Sequence, residues 1–315
     1  MLRSTAIALL AGGALAGARP VAAQTTLPVV RIGSLAFDGG GEAYYGTDAG
    51  IFAANGVTPQ VTTLASGAVI VAAIINGDLD VGASNPLQVA TAIARGIPIQ
   101  MLAPGCLYSK RDASVNLFVA KDAPYTKPKD LAGATFGVGT LGDFNQLSLF
   151  AWLDANGVPR DGVKFVELKF GEAGLALQRG TVQAAMIAEP AKAEALRAGL
   201  VREFSDTYLA IEPELCPLMW VASKDWVQKN PETAKAFVRG MYATARWANV
   251  NLRQSADILA KYAKVDASVI NMTKRLYFAT QNDRKYVEPI LDLAERYHML
   301  ARPVTYEEFT AVLPV

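Results

Sequence analysis

Two stretches of the chain share one pattern of apolar and polar positions. Residues 53–86 and residues 153–190 each contain Ala-Asn-Gly-Val, followed by a β-type run, a small-residue break and an apolar helical stretch. A glycine, Gly77 or Gly180, then follows each helix where a C-terminal cap is expected. Each copy closes with a short strand that ends on a polar residue before proline. The shared order of these features predicts a structural repeat.

Another predicted strand precedes each copy, at residues 29–37 and 134–140. Each of these strands enters a glycine-bearing loop and then a helix, so each half reads strand–loop–helix–strand–helix–strand. Alternation of this kind favours parallel sheets with right-handed crossovers. The sequence therefore predicts an α/β protein with two doubly wound lobes.

Polar residues stand at the carboxyl ends of the predicted strands, where open α/β sheets bind ligands. They are Asp38, which follows Phe37, Ser84 with Asn85, Thr140 and Asp143 at the ends of the loop 140–143, and Glu189. For Ser84 and Asn85 the structural alternative is a cap on a helix beginning at Pro86. The presence of matching ends in both lobes favours a shared pocket between them.

Two further β-rich runs, residues 114–122 and 218–225, flank the second copy. We interpret them as paired crossover strands that form a two-strand hinge. The first lobe is then discontinuous, at residues 27–117 and 222–315, and the second covers residues 118–221. The tail from Trp226 has apolar positions at helical spacing and is expected to cover a core.

The first 23 residues predict a secretory signal peptide, because Arg3 precedes a short apolar run that ends in Val-Ala-Ala. Cleavage before Gln24 and Sec-type export would place the protein in the periplasm. No later apolar run is long enough to cross a membrane. The chain has 30 basic and 29 acidic residues without a basic block, which argues against nucleic acid as a partner.

Histidine and cysteine, which are common in catalytic and metal sites, are scarce in this chain. The only histidine, His298, has apolar neighbours in a predicted helix near the C-terminus, and no Cys-x-x-Cys, His-Glu-x-x-His or P-loop motif occurs. Cys106 and Cys216 form a disulfide or remain buried thiols, and the sequence does not decide between these states. We therefore predict no catalytic residue, metal or cofactor.

Several segments together resemble the nitrate/sulfonate/taurine-type solute-binding proteins of ABC importers, a family that also includes binders of pyrimidine precursors. The matching segments are GIFAANGVTPQV, ASGAVIVAAIINGDLDVGASN, AIARGIPIQMLA, DLAGATFGV, QRGTVQAAMIAEPA and VASKDWVQKNPETAKAFVRG. The resemblance implies a type II periplasmic binding protein fold. It also implies a monomer that closes its lobes on a small molecule and then docks on an inner-membrane permease.

The resemblance also implies a set of ligand-binding residues, matched position by position. They are Phe37, Asp38, Ser66, Gly67, Ser84 and Asn85 in the first lobe, and Thr140, Leu141, Gly142, Asp143, Asn145 and Glu189 in the second. Tyr108 and Trp220, near the hinge, are weaker candidates that core packing explains equally well.

These positions contain three carboxylates, on Asp38, Asp143 and Glu189, and no lysine or arginine. Carboxylates suit a ligand that offers N–H or O–H donors, so we expect a nitrogen-containing or hydroxyl-bearing organic molecule rather than a simple inorganic anion. Alternatives are a sulfonate- or nitrate-type anion, a ligand sensor, and an enzyme of the same fold such as a pyrimidine-phosphate synthase or a desulfinase. Each carboxylate could also be a helix cap or part of a salt bridge.

Overall fold

The computed structural model describes residues 26–189 and 191–314. The predicted signal segment, residues 1–23, lies outside these residues. The strands are β1 (Val29–Ser34), β2 (Thr58–Thr63), β3 (Val81–Ser84), β4 (Ile99–Pro104), β5 (Cys106–Ser109), β6 (Val115–Ala120), β7 (Thr135–Val138), β8 (Lys164–Glu167), β9 (Ala184–Ala188), β10 (Val201–Ser205), β11 (Glu214–Leu215), β12 (Met219–Ser223) and β13 (Tyr277–Phe278).

The α-helices alternate with strands from β1 to β4 and from β7 to β10, and they dominate the part of the chain after β12. They are α1 (Gly41–Asp48), α2 (Ile51–Ala54), α3 (Gly67–Ile75), α4 (Pro86–Ala94), α5 (Phe144–Ala155), α6 (Phe170–Gln178), α7 (Ala191–Arg197), α8 (Lys224–Lys229), α9 (Pro231–Ala248), α10 (Leu252–Ala263), α11 (Ala267–Met272), α12 (Glu288–Arg296) and α13 (Tyr306–Phe309).

The strands form two five-stranded sheets, which confirms the predicted α/β fold with two lobes. The first has the order β2-β1-β3-β12-β4, and the second has the order β10-β6-β9-β7-β8. In the first sheet β1 pairs in parallel with β2 and β3. In the second, β7 pairs in parallel with β8 and β9. The two halves of the chain therefore repeat the same arrangement.

The glycines that end the repeated helices have the predicted conformation. Gly77 follows α3 with φ 80°, and Gly180 follows α6 with φ 71°. This left-handed region costs glycine little, because glycine has no Cβ to clash with the preceding backbone.

The expectation of parallel sheets was wrong for one strand in each lobe. β12 runs antiparallel between β3 and β4, and β6 runs antiparallel between β9 and β10. β6 carries the chain into the second sheet, whereas β12 carries it back into the first. Each therefore begins near the hinge, where the lobe's parallel strands end, and must run in the opposite direction.

The expected pairing between residues 114–122 and residues 218–225 was also wrong, because β6 and β12 lie in different sheets. The crossing segments pair earlier along the chain, where Tyr108 of β5 lies opposite Leu215 of β11. β13 pairs with the other edge of β5, so the hinge contains a small three-stranded sheet. As predicted, two paired strands carry the chain from one lobe to the other and back. These strands are β5 and β11.

The helices after β12 pack mainly on the first lobe. In its core, the rings of Phe52 and Phe237 stack with their centroids 5.6 Å apart. The exception is α12, which contacts α4 of the first lobe and α5 of the second. Its Ile290 and Ala294 are buried in the second lobe's cluster. The C-terminal part therefore also contributes packing across the two lobes.

Within residues 26–189 and 191–314, none of the helices combines the length and the apolar character needed to cross a bilayer. The same residues contain no group of three or more histidine, cysteine and acidic side chains placed to hold a metal ion.

Candidate functional site

A cavity of about 520 Å³ lies between the two lobes, and most of the predicted binding residues line it. Those lining it are Phe37, Asp38, Ser66, Gly67, Asn85, Tyr108, Thr140, Asp143, Asn145 and Glu189. The cavity therefore joins strand ends and helix N-termini from both copies of the repeat. We call it the cleft.

Four of the predicted residues do not line the cleft. Ser84 is fully buried and donates a hydrogen bond to Gln88 Oε1, which brings Gln88 to the cleft instead. The backbone N–H groups of Leu141 and Gly142 donate to the side chains of Glu167 and Gln146. Trp220 is buried, and its indole N–H donates to Glu42 Oε2 over 2.8 Å. For Trp220 the core-packing alternative is therefore the one observed.

Several predicted ligand-binding side chains act as helix caps at the edge of the cleft. Ser66 Oγ accepts from the N–H of Val69 at the start of α3, and Asn85 Oδ1 accepts from the N–H of Gln88 at the start of α4. Capping satisfies one of the free N–H groups of each first turn. The remaining N–H groups and the positive end of the helix dipole still face the same region.

The carboxylate of Asp38 is fully engaged by protein donors. Its Oδ1 accepts from Tyr45 Oη at 2.9 Å and from Arg275 Nη2 at 2.8 Å, and its Oδ2 accepts from the N–H of Leu276 at 2.7 Å. Asp38 thus fixes the loop after β1 against the segment before β13. This is the salt-bridge alternative, which leaves Asp38 little capacity to accept from a ligand.

Asp143 is held in a similar way within the second lobe. Its Oδ1 accepts from the N–H of Gln146 at 2.9 Å, and its Oδ2 accepts from Asn145 Nδ2 at 3.0 Å. Tyr208 Oη in turn donates to Asn145 Oδ1 over 2.9 Å. Burial raises the pKa of Asp143, while the hydrogen bonds from Gln146 and Asn145 act in the opposite direction. This chain orients Asn145 and Tyr208 at the wall of the cleft.

Glu189 is the carboxylate with free accepting capacity. It follows β9, and its Oε2 accepts from the N–H of Ala193 at 3.1 Å. Among the described residues no hydrogen bond is formed by its Oε1. Burial raises the pKa of Glu189, and the ammonium groups of Lys192 and Lys274 partly offset this effect. Glu189 can therefore receive an N–H or O–H donor from a bound molecule.

Two basic side chains outside the predicted set of binding residues also belong to the site. Lys169 and Lys274 both line the cleft. Lys169 follows β8 at the start of α6, the position that Ser66 has between β2 and α3. Alignment of the two repeats could have identified it. Lys274 comes from the C-terminal part through long-range packing, and no local motif indicates it.

Five aromatic residues contribute to the walls of the cleft: Phe37, Tyr108, Phe144, Phe170 and Tyr208. Phe144 and Tyr208 are buried with ring centroids 4.8 Å apart, and Phe170 lines the same cavity. Phe37 is 38% exposed, which is unusual for phenylalanine and leaves a ring face at the cleft. Rings in this arrangement can stack on an organic ligand.

The two cysteines are free and buried. Burial raises the pKa of the Cys216 thiol to about 12, and it raises that of Cys106, which lines the cleft. Such thiols are poor nucleophiles at neutral pH. His298 is exposed and does not line the cleft.

Comparison with known proteins identifies the family. Residues 41–251 match the family described as NMT1/THI5 like, so the chain belongs to this family. It is 30% identical over 187 residues to the taurine-binding periplasmic protein of Escherichia coli (strain K12). That match covers 59% of this chain and 56% of the relative, so it spans little more than half of the relative's length.

Solved structures show the same fold. The periplasmic aliphatic sulphonate-binding protein SsuA of Escherichia coli superposes with a TM-score of 0.75 at 18% identity, covering 92% of this chain and 94% of that one. The periplasmic nitrate-binding protein NrtA of Synechocystis PCC 6803 superposes with a TM-score of 0.70 at 14% identity, covering 90% and 84%. The resemblance to nitrate/sulfonate/taurine-type binding proteins is thereby confirmed, and these relatives are named as binding proteins rather than enzymes.

Proposed function

We propose that this protein captures a small organic acid between its two lobes and delivers it to an ABC importer in the inner membrane. The ligand carries an acidic group together with an amino or hydroxyl group. The predicted signal segment and the naming of the relatives as periplasmic proteins support export to the periplasm.

The convergence of four helix N-termini on one cleft carries this proposal. Gly67 begins α3, Gln88 lies in the first turn of α4, Phe144 begins α5 and Phe170 begins α6, and all four residues line the cavity. A helix N-terminus offers free N–H groups and a partial positive charge to an anion. Lys169 and Lys274 add two ammonium groups at the same place.

The chemistry of the other cleft residues favours an organic molecule with a second polar group. Glu189 retains a free carboxylate oxygen, which suits an ammonium or hydroxyl donor. The cavity of about 520 Å³ exceeds the needs of an inorganic anion, and its aromatic walls favour a carbon skeleton. The expectation of a nitrogen- or hydroxyl-bearing ligand is kept, with an acidic group added because of the helix N-termini and lysines.

We further propose that the lobes close by bending at β5 and β11. Residues 117/118 and 221/222, the boundaries expected from sequence, fall inside β6 and β12. A boundary between lobes at the hinge strands leaves both sheets intact. A ligand that contacts both lobes only in the closed form stabilises that form by its difference in affinity.

Thermal unfolding of the mature protein, residues 24–315, tests the proposal. The panel contains taurine, ethanesulfonate and ethylamine, together with 4-aminobenzenesulfonate, benzenesulfonate and aniline, plus nitrate and uracil. At about a thousand times its dissociation constant, a ligand adds about 4 kcal/mol and raises the unfolding midpoint by several degrees. We expect stabilisation by a compound that has both an acidic and an amino group, and less by its single-group analogues.

The variant Glu189→Gln tests the contribution of the ligand's amino group to binding separately from that of its acidic group. It should remove the advantage of an amino-bearing compound over the analogue without the amine. Stabilisation by an amine alone, or by uracil alone, would contradict the organic-acid proposal. Stabilisation by nitrate alone would support the anion alternative.

A further inference from the structure

A second cavity lies behind the cleft, on the other side of the segment that precedes β13. It has a volume of about 760 Å³, and Thr273 and Leu276 contribute to the walls of both cavities. One wall comes from the hinge, through Leu107 of β5 and Glu214 of β11. We call it the hinge cavity.

Basic side chains outnumber acidic ones in the lining of the hinge cavity. Three arginines, Arg111, Arg253 and Arg275, face one carboxylate, that of Glu214. Glu214 is itself paired with Lys285, whose Nζ lies 3.3 Å from Oε2. Among the described residues neither Arg111 nor Arg253 has a hydrogen bond or an ion pair. Arg275 is paired with Asp38, so the unpaired positive charge at the cavity, among the described residues, is that of Arg111 and Arg253.

Arg275 adds a buried donor without a partner. Its side chain is 9% exposed, and its Nε is buried with no hydrogen-bond partner among the described residues. Its terminal nitrogens are already used, Nη1 for the carbonyl of Leu252 and Nη2 for Asp38. A buried N–H that forms no hydrogen bond is costly, so the Arg275 guanidinium is incompletely satisfied where it borders the cavity.

The rest of the lining combines apolar residues with the neutral polar residues Ser109, Asn249, Asn271 and Thr273. Leu107 and Leu276 are buried, and the ring of Tyr277 is 48% exposed beside them. Two unpaired guanidinium groups prefer carboxylates or phosphates, which accept two parallel hydrogen bonds from each fork. The volume leaves room for a molecule of metabolite size.

We propose that the hinge cavity is a second binding site, for a small organic anion that carries at least two carboxylate or phosphate groups. Arg111, two residues after the hinge strand β5, and Arg253, on α10, bind the charged groups. The proposal does not depend on the identity of the cleft ligand.

Calorimetric titration of the mature protein at low ionic strength tests this site, with citrate as the carboxylate probe and pyrophosphate as the phosphate probe. We expect saturable binding of at least one probe with one-to-one stoichiometry. Arg111→Gln and Arg253→Gln should each raise the dissociation constant about tenfold. Arg179→Gln, an exposed arginine of the second lobe, is the matched control and should leave binding unchanged.

Lys274→Gln removes a lysine of the cleft. It therefore distinguishes binding of the probe in the cleft from binding in the hinge cavity. If it weakens probe binding as much as Arg253→Gln does, the probe occupies the cleft and the proposal is wrong. The proposal also fails if neither probe binds, or if Arg179→Gln has the same effect as the two cavity variants. Binding of citrate alone assigns a polycarboxylate, and binding of pyrophosphate alone assigns a phosphate compound.

Discussion

The guanidinium of Arg275 lies 2.8 Å from the carboxylate of Asp38, although 237 positions separate them in the chain. The two side chains are 9% and 14% exposed, so the ion pair is largely shielded from water. It fastens the loop that follows β1 to the segment that enters β13. A residue expected to bind ligand therefore holds together two walls of the site.

Asp38→Asn should lower stability more than it lowers ligand affinity. The substitution leaves the guanidinium of Arg275 without its counter-charge in a poorly solvated place, at a cost of about 3 kcal/mol. Denaturant unfolding measures the loss, and titration with the strongest compound of the panel measures affinity. Unchanged stability with lost binding would show that Asp38 acts mainly on the ligand.

Glu42 should make stability depend on pH. Burial raises its pKa from the ordinary 4.5 to about 8, and the hydrogen bond from Trp220 only partly opposes this. Between pH 4.5 and about pH 8, Glu42 in the folded state keeps a proton that it has released in the unfolded state. Stability therefore falls as pH rises through this window, by a total of about 5 kcal/mol.

Glu42→Gln removes the titrating group and should flatten this dependence between about pH 5 and about pH 8. Denaturant unfolding at several pH values measures the slope for both proteins. Glu172→Gln, an exposed position on α6, is the control and should retain the wild-type slope. An equal slope for Glu42→Gln and the wild type would assign the pH dependence to other groups.

Gly105 marks the point where the two crossing segments touch. Its N–H donates to the carbonyl of Leu218, and a Cβ at this position would lie 2.8 Å from that carbonyl oxygen. Gly105→Ala should therefore displace the returning segment and cost about 2 kcal/mol in stability.

The matched control is Gly171→Ala, since a Cβ at Gly171, within α6, meets no atom within 4 Å. Alanine in a helix is favoured over glycine, so this variant should match or exceed the wild type. Thermal unfolding compares the two variants. Equal midpoints would mean that the crossing segments tolerate a side chain at Gly105.

Lys274→Gln should weaken binding of an acidic ligand about tenfold, because one charge-assisted contact is lost. The loss should shrink as salt is added, since Lys274 is exposed at the cleft and its charge is screened. Titration at low and high ionic strength measures this. Lys121→Gln, an exposed lysine after β6, should bind as the wild type does. Equal affinity of all three proteins would exclude Lys274 from the site.

Much of the fold could be predicted because it depends on local signals that occur twice. The helix-ending glycines, Gly77 and Gly180, and the strand ends near Asn85 and Glu189 carry backbone requirements visible in a single copy. The antiparallel direction of β6 and β12 had no such signal. It follows from how a chain enters and leaves a lobe, which is a property of the whole topology.

The candidate site could be predicted at positions where one residue both caps a helix and lines the cleft. Asn85 and Asp143 cap helices and also line the cleft, so one local pattern located both roles. The charge of the site was not predictable, because Arg275 neutralises Asp38 and Lys274 enters from the C-terminal part. Partners that far apart in the chain are brought together only by tertiary packing.

Small-angle X-ray scattering of the mature protein, titrated with the panel compound that stabilises it most, tests capture between the lobes most directly. We expect the radius of gyration to fall in proportion to occupancy. Asn85→Ala, which alters the start of α4 at the cleft, should need more of the compound for the same fall. A compound that saturates the protein without changing its radius of gyration, or that acts equally on Asn85→Ala, would contradict closure around a ligand in this cleft.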